Sequence, residues 1–338
     1  MELIYIRTDG MGNVSSGYLS NFEAAFAIST DIDYVTNNFT LTMAIPEDEE
    51  DVLYEENLIS TIVFVDGTEY GGEIKGYTID EEANTITYTG RTWRGTMSQY
   101  VIEPPSGQDY LVVSGNLADS LALLPWSDYI DIAPTDYSGG SFQFDRYIKV
   151  FEGATKLLKA ADSSLRIGLV FESSGSSGTV TLTVQPARDL ASLIEVSQDY
   201  NDRVSLKITR DDSTPKVLIC LGQGELKNRQ VVKLYADDDW NVSTTPIVGA
   251  YPVETYDYSS STALEADGRK QFAELIANHE KIELTIDDLD VRLSDIISGK
   301  DILTGQTVKA EITSITWRCT NYGEYQEESY EYRTEVLI

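Results

Sequence analysis

Apolar and polar residues alternate with a period of two in several separate stretches of the chain, the pattern of half-buried β-strands. Phe39, Leu41, Met43 and Ile45 alternate with Thr40, Thr42 and Ala44. A β-branched run at 59–65 stops at Asp66-Gly67, and runs at 74–79 and 85–89 follow Gly71-Gly72 and Glu81-Glu82-Ala83-Asn84. Strands this closely spaced, with turn residues between them, predict antiparallel hairpins over the first hundred residues. From about Pro104-Pro105 the period becomes helical: Leu117, Leu121 and Leu124 share a face, with Ser114 or Asn116 placed to cap it. A second helix is expected over 146–161, where Tyr147, Ile148, Phe151, Leu157 and Leu158 line one side. An apolar run at 165–171, a Ser/Gly turn at 173–178 and the alternating Val180, Leu182 and Val184 complete a mixed α/β unit.

After about Asp189 the period of two returns, in Val204, Leu206 and Ile208 and in runs at 217–221 and 230–235. A polar, tyrosine-rich stretch at 236–261 leads to a helix over 263–280 carrying Leu264, Phe272, Leu275 and Ile276. Strands resume with Ile282, Leu284 and Ile286, then at 308–317 and 329–338 around an Asn321-Tyr322-Gly323 turn. Residues 72–79 and 305–312 echo each other in a turn glycine, a β-branched residue, a lysine, a small residue and a closing isoleucine, and one further strand follows each. Duplication would give two related β-barrels with other units inserted. The expected fold class is mainly β with α+β insertions. A first barrel is expected at 1–103, an inserted α/β domain at 104–190, a second barrel from 191–235 and 282–338, and a loop-helix unit at 236–281.

A chain of 338 residues is long enough for two or three domains, and 41% hydrophobic residues supply their cores. Against 25 Lys+Arg stand 56 Asp+Glu, a formal charge of −31 spread along the whole length. Affinity for duplex phosphates comes from Lys and Arg, so sequence-specific DNA binding is not expected. An acidic surface facing DNA lets it pass without sticking. The first nine residues lack the basic and apolar regions of a signal peptide, and no run reaches the ~18 apolar residues of a membrane helix, so no membrane anchor is expected.

Candidate chemistry is sparse. Cys220 and Cys319 lie in apolar or alternating runs and read as buried thiols; two cysteines and one histidine do not make a zinc site or a disulfide framework. Gly222-Gln223-Gly224 begins like a dinucleotide loop, but Lys227 stands where a third glycine is needed and a strand follows instead of a helix, so a hairpin turn is expected. His279 has no second histidine for a zincin and no nucleophile motif; it reads as a residue at a helix end. The acidic runs at 47–51 and 237–239 do not follow a calcium-loop pattern and read as solvated loop tips. A carboxylate pair for glycoside hydrolysis leaves no mark in sequence spacing. The 21 tyrosines suit sugar stacking, yet several alternate within strands, where tyrosine is simply favoured. No catalytic, metal-binding or cofactor-binding residue and no cofactor is therefore expected.

Three segments carry a resemblance. Tyr88-Thr89-Gly90-Arg91-Thr92-Trp93-Arg94-Gly95 ends a strand in a Gly-Arg-Thr turn, and Val217-Leu218-Ile219-Cys220-Leu221-Gly222-Gln223-Gly224-Glu225 with Arg229 joins a strand to a Gly-Gln-Gly-Glu element. The third is Leu289-Asp290-Val291-Arg292-Leu293-Ser294-Asp295-Ile296-Ile297, with Ser294 where a glycine is common. In these segments and in its layout the chain resembles the tail-tip or baseplate hub proteins of long-tailed phages and prophage-derived tail structures, the Gp37-like or tail-associated hub family. The resemblance implies a homotrimer in which each subunit supplies two tail-tube-like antiparallel β-barrels, so that six barrels continue the tail tube. It implies a place in the virion at the tail tip, assembly in the host cytoplasm, and contact with a distal tail protein, a tape-measure protein and receptor-binding or fibre proteins. DNA would pass through the ring. Members of the family often continue into a hydrolase or fibre domain; Ile338 follows the expected last strand, so any enzymatic tip is expected on another polypeptide. The alternative reading is a secreted or surface glycan-binding module, or a carboxylate-pair glycoside hydrolase.

Overall fold

The structure is a computed structural model that describes residues 2–31, 36–46, 53–54, 58–175, 177–191, 195–196, 204–210, 213–277, 280–286, 291–300, 307–323 and 325–337. It divides into two compact units, Met1–Ser205 with Leu284–Ile338, and Leu206–Glu283.

Strands β1 (Ile4–Asp9) and β2 (Val14–Tyr18) form a hairpin, and β5 (Leu58–Phe64) lies on the other side of β1. Strand β3 (Phe22–Ser29) pairs with β4 (Asn38–Ala44), Phe26 opposite Phe39. Strands β6 (Gly71–Asp80) and β7 (Thr85–Thr92) make a second hairpin, and β7 also pairs with β4. Asn84 turns this hairpin in the left-handed region, which asparagine tolerates. Burial alternates as the sequence pattern requires: Phe22, Ala24, Phe26, Phe39, Leu41, Ile86 and Tyr88 all face one core. A short helix, α1 (Trp93–Met97), follows β7 directly and is buried throughout.

The inserted segment contains β8 (Val112–Asn116), α2 (Leu117–Ala122), β9 (Ile130–Ile132), β10 (Ser138–Gln143), α3 (Val150–Ala161), β11 (Leu165–Ser174) and β12 (Ser177–Pro186). Asn116 caps α2 by accepting from the backbone N–H groups of Ala118 and Asp119 at 2.8 and 3.3 Å. Helix α3 begins four residues later than its apolar spacing predicts. Tyr147 takes a positive φ of 58°, and the N–H groups of Tyr147 and Val150 donate instead to the carbonyls of Ile102 and Tyr100. One core joins Ile6, Ile62 and Phe64 of the first sheet to Phe151, Leu157 and Leu158 of α3 and Leu169, Phe171 and Leu182 of the β11–β12 hairpin.

Past β13 (Glu195–Val196) and β14 (Val204–Arg210), the second unit holds β15 (Val217–Leu221), a 3-10 turn (Leu226–Asn228), β16 (Val231–Ala236), β17 (Val242–Ser243), β18 (Val253–Asp257) and α4 (Leu264–Ala277). The sheet order is β17-β16-β15-β18, with β18 parallel to β15. Leu264 and Phe272 of α4 pack on Leu218, Cys220, Leu234 and Ala236. Gly268 keeps the helix close, since a Cβ there would run into the Cys220 sulfur. Strands β15 and β16, assigned by sequence to a second barrel, thus pair inside this four-stranded sheet. The stretch at 236–261 supplies two of its strands. Strand β19 (Glu280–Ile286) pairs with β14.

The last strands, β20 (Ile296–Lys300), β21 (Thr307–Tyr322) and β22 (Tyr325–Leu337), return to the first unit. Along one edge β21 pairs with β20 through its opening residues and then with β3; along the other it pairs with β22, with a register shift between Ile312 and Ser314. First and last strands therefore share one sheet, in the order β13-β20-β21-β3-β4-β7-β6-β5-β1-β2 with β22 beside β21. The path is open among the described residues rather than a closed barrel, though it curls: Tyr70, between β5 and β6, stacks on Trp317 of β21 with ring centroids 5.4 Å apart. The echoing segments at 72–79 and 305–312 fall on β6 and, for residues 307–312, on β21, each the first strand of a hairpin. The chain is mainly β with few helices.

Candidate functional site

The residues singled out for chemistry do not come together. Val217–Leu221 and Val231–Ala236 form an antiparallel hairpin whose turn contains Gly222-Gln223-Gly224. The Gly222 N–H donates to Gln230 O at 2.8 Å, Gly224 has a φ of +98°, and only a three-residue 3-10 turn and then a strand follow, with no α-helix to hold a pyrophosphate. Arg229 ties the turn to β18, its Nε donating to Gly222 O at 3.1 Å and its Nη2 lying 2.6 Å from Asp257. His279 and residues 47–51 lie outside the described residues. The Asp237 carboxylate accepts from the backbone of Asp239 and Asn241, bonds that hold its pKa below the usual carboxylate value. Among the described residues no group of three or more His, Cys, Asp or Glu could hold a metal ion. Cys220 and Cys319 are buried, which pushes both thiols up. Several tyrosines serve packing: Tyr88 is buried and its hydroxyl accepts from the Leu53 N–H, while Tyr70 stacks on Trp317 and meets Tyr330 at a tilt, and Tyr330 stacks on Tyr332.

The described residues of the first and third resemblance segments do come together, at the joint between the main sheet and the inserted α/β layer. Thr92 donates its N–H to Asn37 O and its hydroxyl to Ala27 O, which fixes the end of β7 against β3. Gly95 sits so close to this loop that a Cβ would run into the Asn37 carbonyl. Trp93 stacks on Phe171 of β11, centroids 5.2 Å apart with planes at 7°. Arg94 is almost fully buried; its guanidinium grips both oxygens of Glu69 and donates to Ile167 O at 2.9 Å.

Two more forks complete the joint. Arg166 of β11 meets Glu311 of β21 through Nε–Oε1 and Nη2–Oε2 pairs, both 2.9 Å. Arg188 reaches both oxygens of Asp295, and the Arg292 N–H donates to the same carboxylate at 2.6 Å. Ser294, beside this fork, has a φ of +71°, a left-handed conformation that glycine adopts at less cost than a residue with a Cβ. A planar guanidinium matches a carboxylate in two parallel hydrogen bonds, and a partly dehydrated fork orients the pieces it joins. In a chain with so few cations, three are spent here. Two grooves flank the joint, of about 640 and 490 Å³, and Arg94 and Ile167 border both. Sequence spacing gave no sign of these pairs, whose partners lie 25, 145 and 107 residues apart.

No family model matches the chain, and neither does any curated protein. Solved structures do. The 43 kDa tail protein of prophage MuSo2 from Shewanella oneidensis superimposes with a TM-score of 0.54 at 13% identity, over 100% of this chain and 98% of that one. The chain has the fold of phage tail proteins. Prophage tail protein gp18 from Listeria monocytogenes EGD-e agrees, with a TM-score of 0.52 at 13% identity over 99% of this chain and 94% of that one. At this identity the likeness is one of fold.

Proposed function

We propose that this chain is a structural hub of the tail tip or baseplate of a phage or phage-like particle, acting through interfaces rather than chemistry. The observation that carries the reading is the end-to-end correspondence in fold with a prophage tail protein. The three resemblance segments support it, two of them because they form the joint that fixes the inserted layer to the sheet.

In this reading three chains form a ring that continues or caps the tail tube. Curled sheets close against one another in the ring, and the inserted layers face outward. A distal tail protein and a tape-measure protein contact the ring from the tube side, and receptor-binding or fibre proteins attach to it. The excess of carboxylates keeps DNA from adhering as it passes. Solution mass tests the proposal. The chain is expected to form trimers, alone or with its distal tail partner. A chain that stays monomeric and never enters a ring in that mixture would refute it.

A further inference from the structure

Strand β11 is an outer strand of the sheet ordered β11-β12-β9, so one of its edges has no partner strand. In antiparallel pairing every second residue turns its N–H and C=O away from the neighbouring strand. The β11–β12 register runs without a shift, and Phe171 shows which residues these are. Its N–H donates to Thr68 O and its carbonyl accepts from the Gly67 N–H, both at 2.8 Å. Two residues on, the Ser173 N–H donates outward to the Asp66 carboxylate at 2.7 Å.

By the same alternation Leu169 and Ile167 turn their backbone groups outward, and the Ile167 carbonyl meets Arg94 there. The Leu169 N–H, the Leu169 carbonyl and the Ile167 N–H have no partner among the described residues. Leu169 is only 4% exposed and Ile167 6%, and backbone groups so deeply placed are rarely left unpaired. Both residues line the groove of about 490 Å³, together with Ile28, Ile315, Val291 and Leu293.

We infer that this groove takes an extended peptide of a partner protein, which adds to the β11 edge by main-chain hydrogen bonds. The unpaired groups select the occupant. A donor and an acceptor on one residue, with a second donor two residues away, are answered by the backbone of one further strand. Thr68 already pairs with Phe171 in this way, at the next outward position of the same edge. Between the Thr68 and Arg94 contacts lie about 13 Å of strand, room for about three paired residues. A sugar would need free aromatic faces, but Tyr70 stacks on Trp317 and Tyr332 on Tyr330. Val291, Leu293 and Ile315 favour apolar side chains on the peptide. Arg292, exposed at the groove and without an ion pair among the described residues, favours a carboxylate beside them.

The probe is a pool of acetylated hexapeptides that alternate Val with Thr and end in Asp, added to the full chain while amide exchange is followed residue by residue by NMR. Without peptide, the amides of Ile167 and Leu169 are expected to exchange faster than those of Gly168 and Val170, which bond to β12. With peptide, the first two should slow about tenfold or more while the other two do not change. A fully N-methylated pool, which lacks the main-chain donors, should bind about tenfold more weakly or worse, and so should the unmodified pool to Arg292→Glu, its folding verified by circular dichroism. Amides 167 and 169 already protected in the chain alone would mean that the protein covers this edge itself, and would overturn the inference. Amides unmoved by millimolar peptide, or equal binding by the N-methylated pool or to the variant, would overturn it too. Peptide binding does not depend on ring formation, so its failure leaves the hub reading standing.

Discussion

Replacing Arg94 with methionine tests whether the joint depends on a buried carboxylate being answered. The Arg94 side chain is 4% exposed and that of Glu69 13%, and the guanidinium bridges Glu69 to the Ile167 carbonyl of β11. Arg94→Met keeps most of the side-chain volume and its contact near Phe151 but leaves the carboxylate dehydrated without a partner. Stranding one member of a buried pair costs about 3–5 kcal/mol. Removing the carboxylate as well, in Arg94→Met/Glu69→Leu, should recover at least about 2 kcal/mol of that loss, because an apolar pair of similar size is tolerated where a lone charge is not. The remaining deficit, about 1–3 kcal/mol, belongs to the Ile167 carbonyl, which has lost its donor. The two units need not unfold together, so the assay is native-state hydrogen exchange of the β11 amides rather than a single global transition. A double variant as unstable as Arg94→Met would refute the reasoning, because the penalty would then not come from the stranded carboxylate.

Two further outcomes follow from local geometry. Ser294→Gly should stabilise the first unit by about 1 kcal/mol in denaturant unfolding, since the left-handed conformation costs a residue with a Cβ more than glycine's extra unfolded-state freedom costs in return. No gain, or a loss, would mean that the serine side chain has a packing role that outweighs the strain. At the tip of the β1–β2 hairpin, side-chain and backbone hydrogen bonds from Asn13 lower the Asp9 pKa from 3.8. The turn's contribution is therefore present above pH 3.8 and lost as pH falls through the lower folded value. The Asn13 amide resonance should titrate with a midpoint below 3.8; a midpoint at or above that value would contradict the geometry.

Strands with one buried face were legible in the sequence because alternation is all that such a face requires. Strand β4 lies where the period of two placed it, and β6, β7 and β15 lie where short runs set off by turn residues placed them. Strand β2 gave no signal, since both of its faces meet water, and β3 hid its alternation behind the small residues Ala25 and Ala27 on its outer side. Helix α1 was invisible as a helix, because Trp93 and Arg94 are placed by tertiary partners rather than by an apolar period. The pairing of β21 with β3 joins residues nearly 300 positions apart, as in Phe22 opposite Asn321, and nothing local announces it. The hairpin at Gly222-Gln223-Gly224 was legible from the strand that follows it. Of the joint, the Gly-Arg-Thr segment stood out as a motif, whereas Glu69, Glu311 and Arg188 did not. Their significance lies in which arginine or carboxylate each one faces.

Class averages of the assembled protein imaged by electron microscopy test the central claim most directly. A hub of this kind predicts rings of three chains with three-fold or pseudo-six-fold symmetry around an open or plugged axis. Particles the size of a single chain at every concentration, with the distal tail partner present, would contradict it.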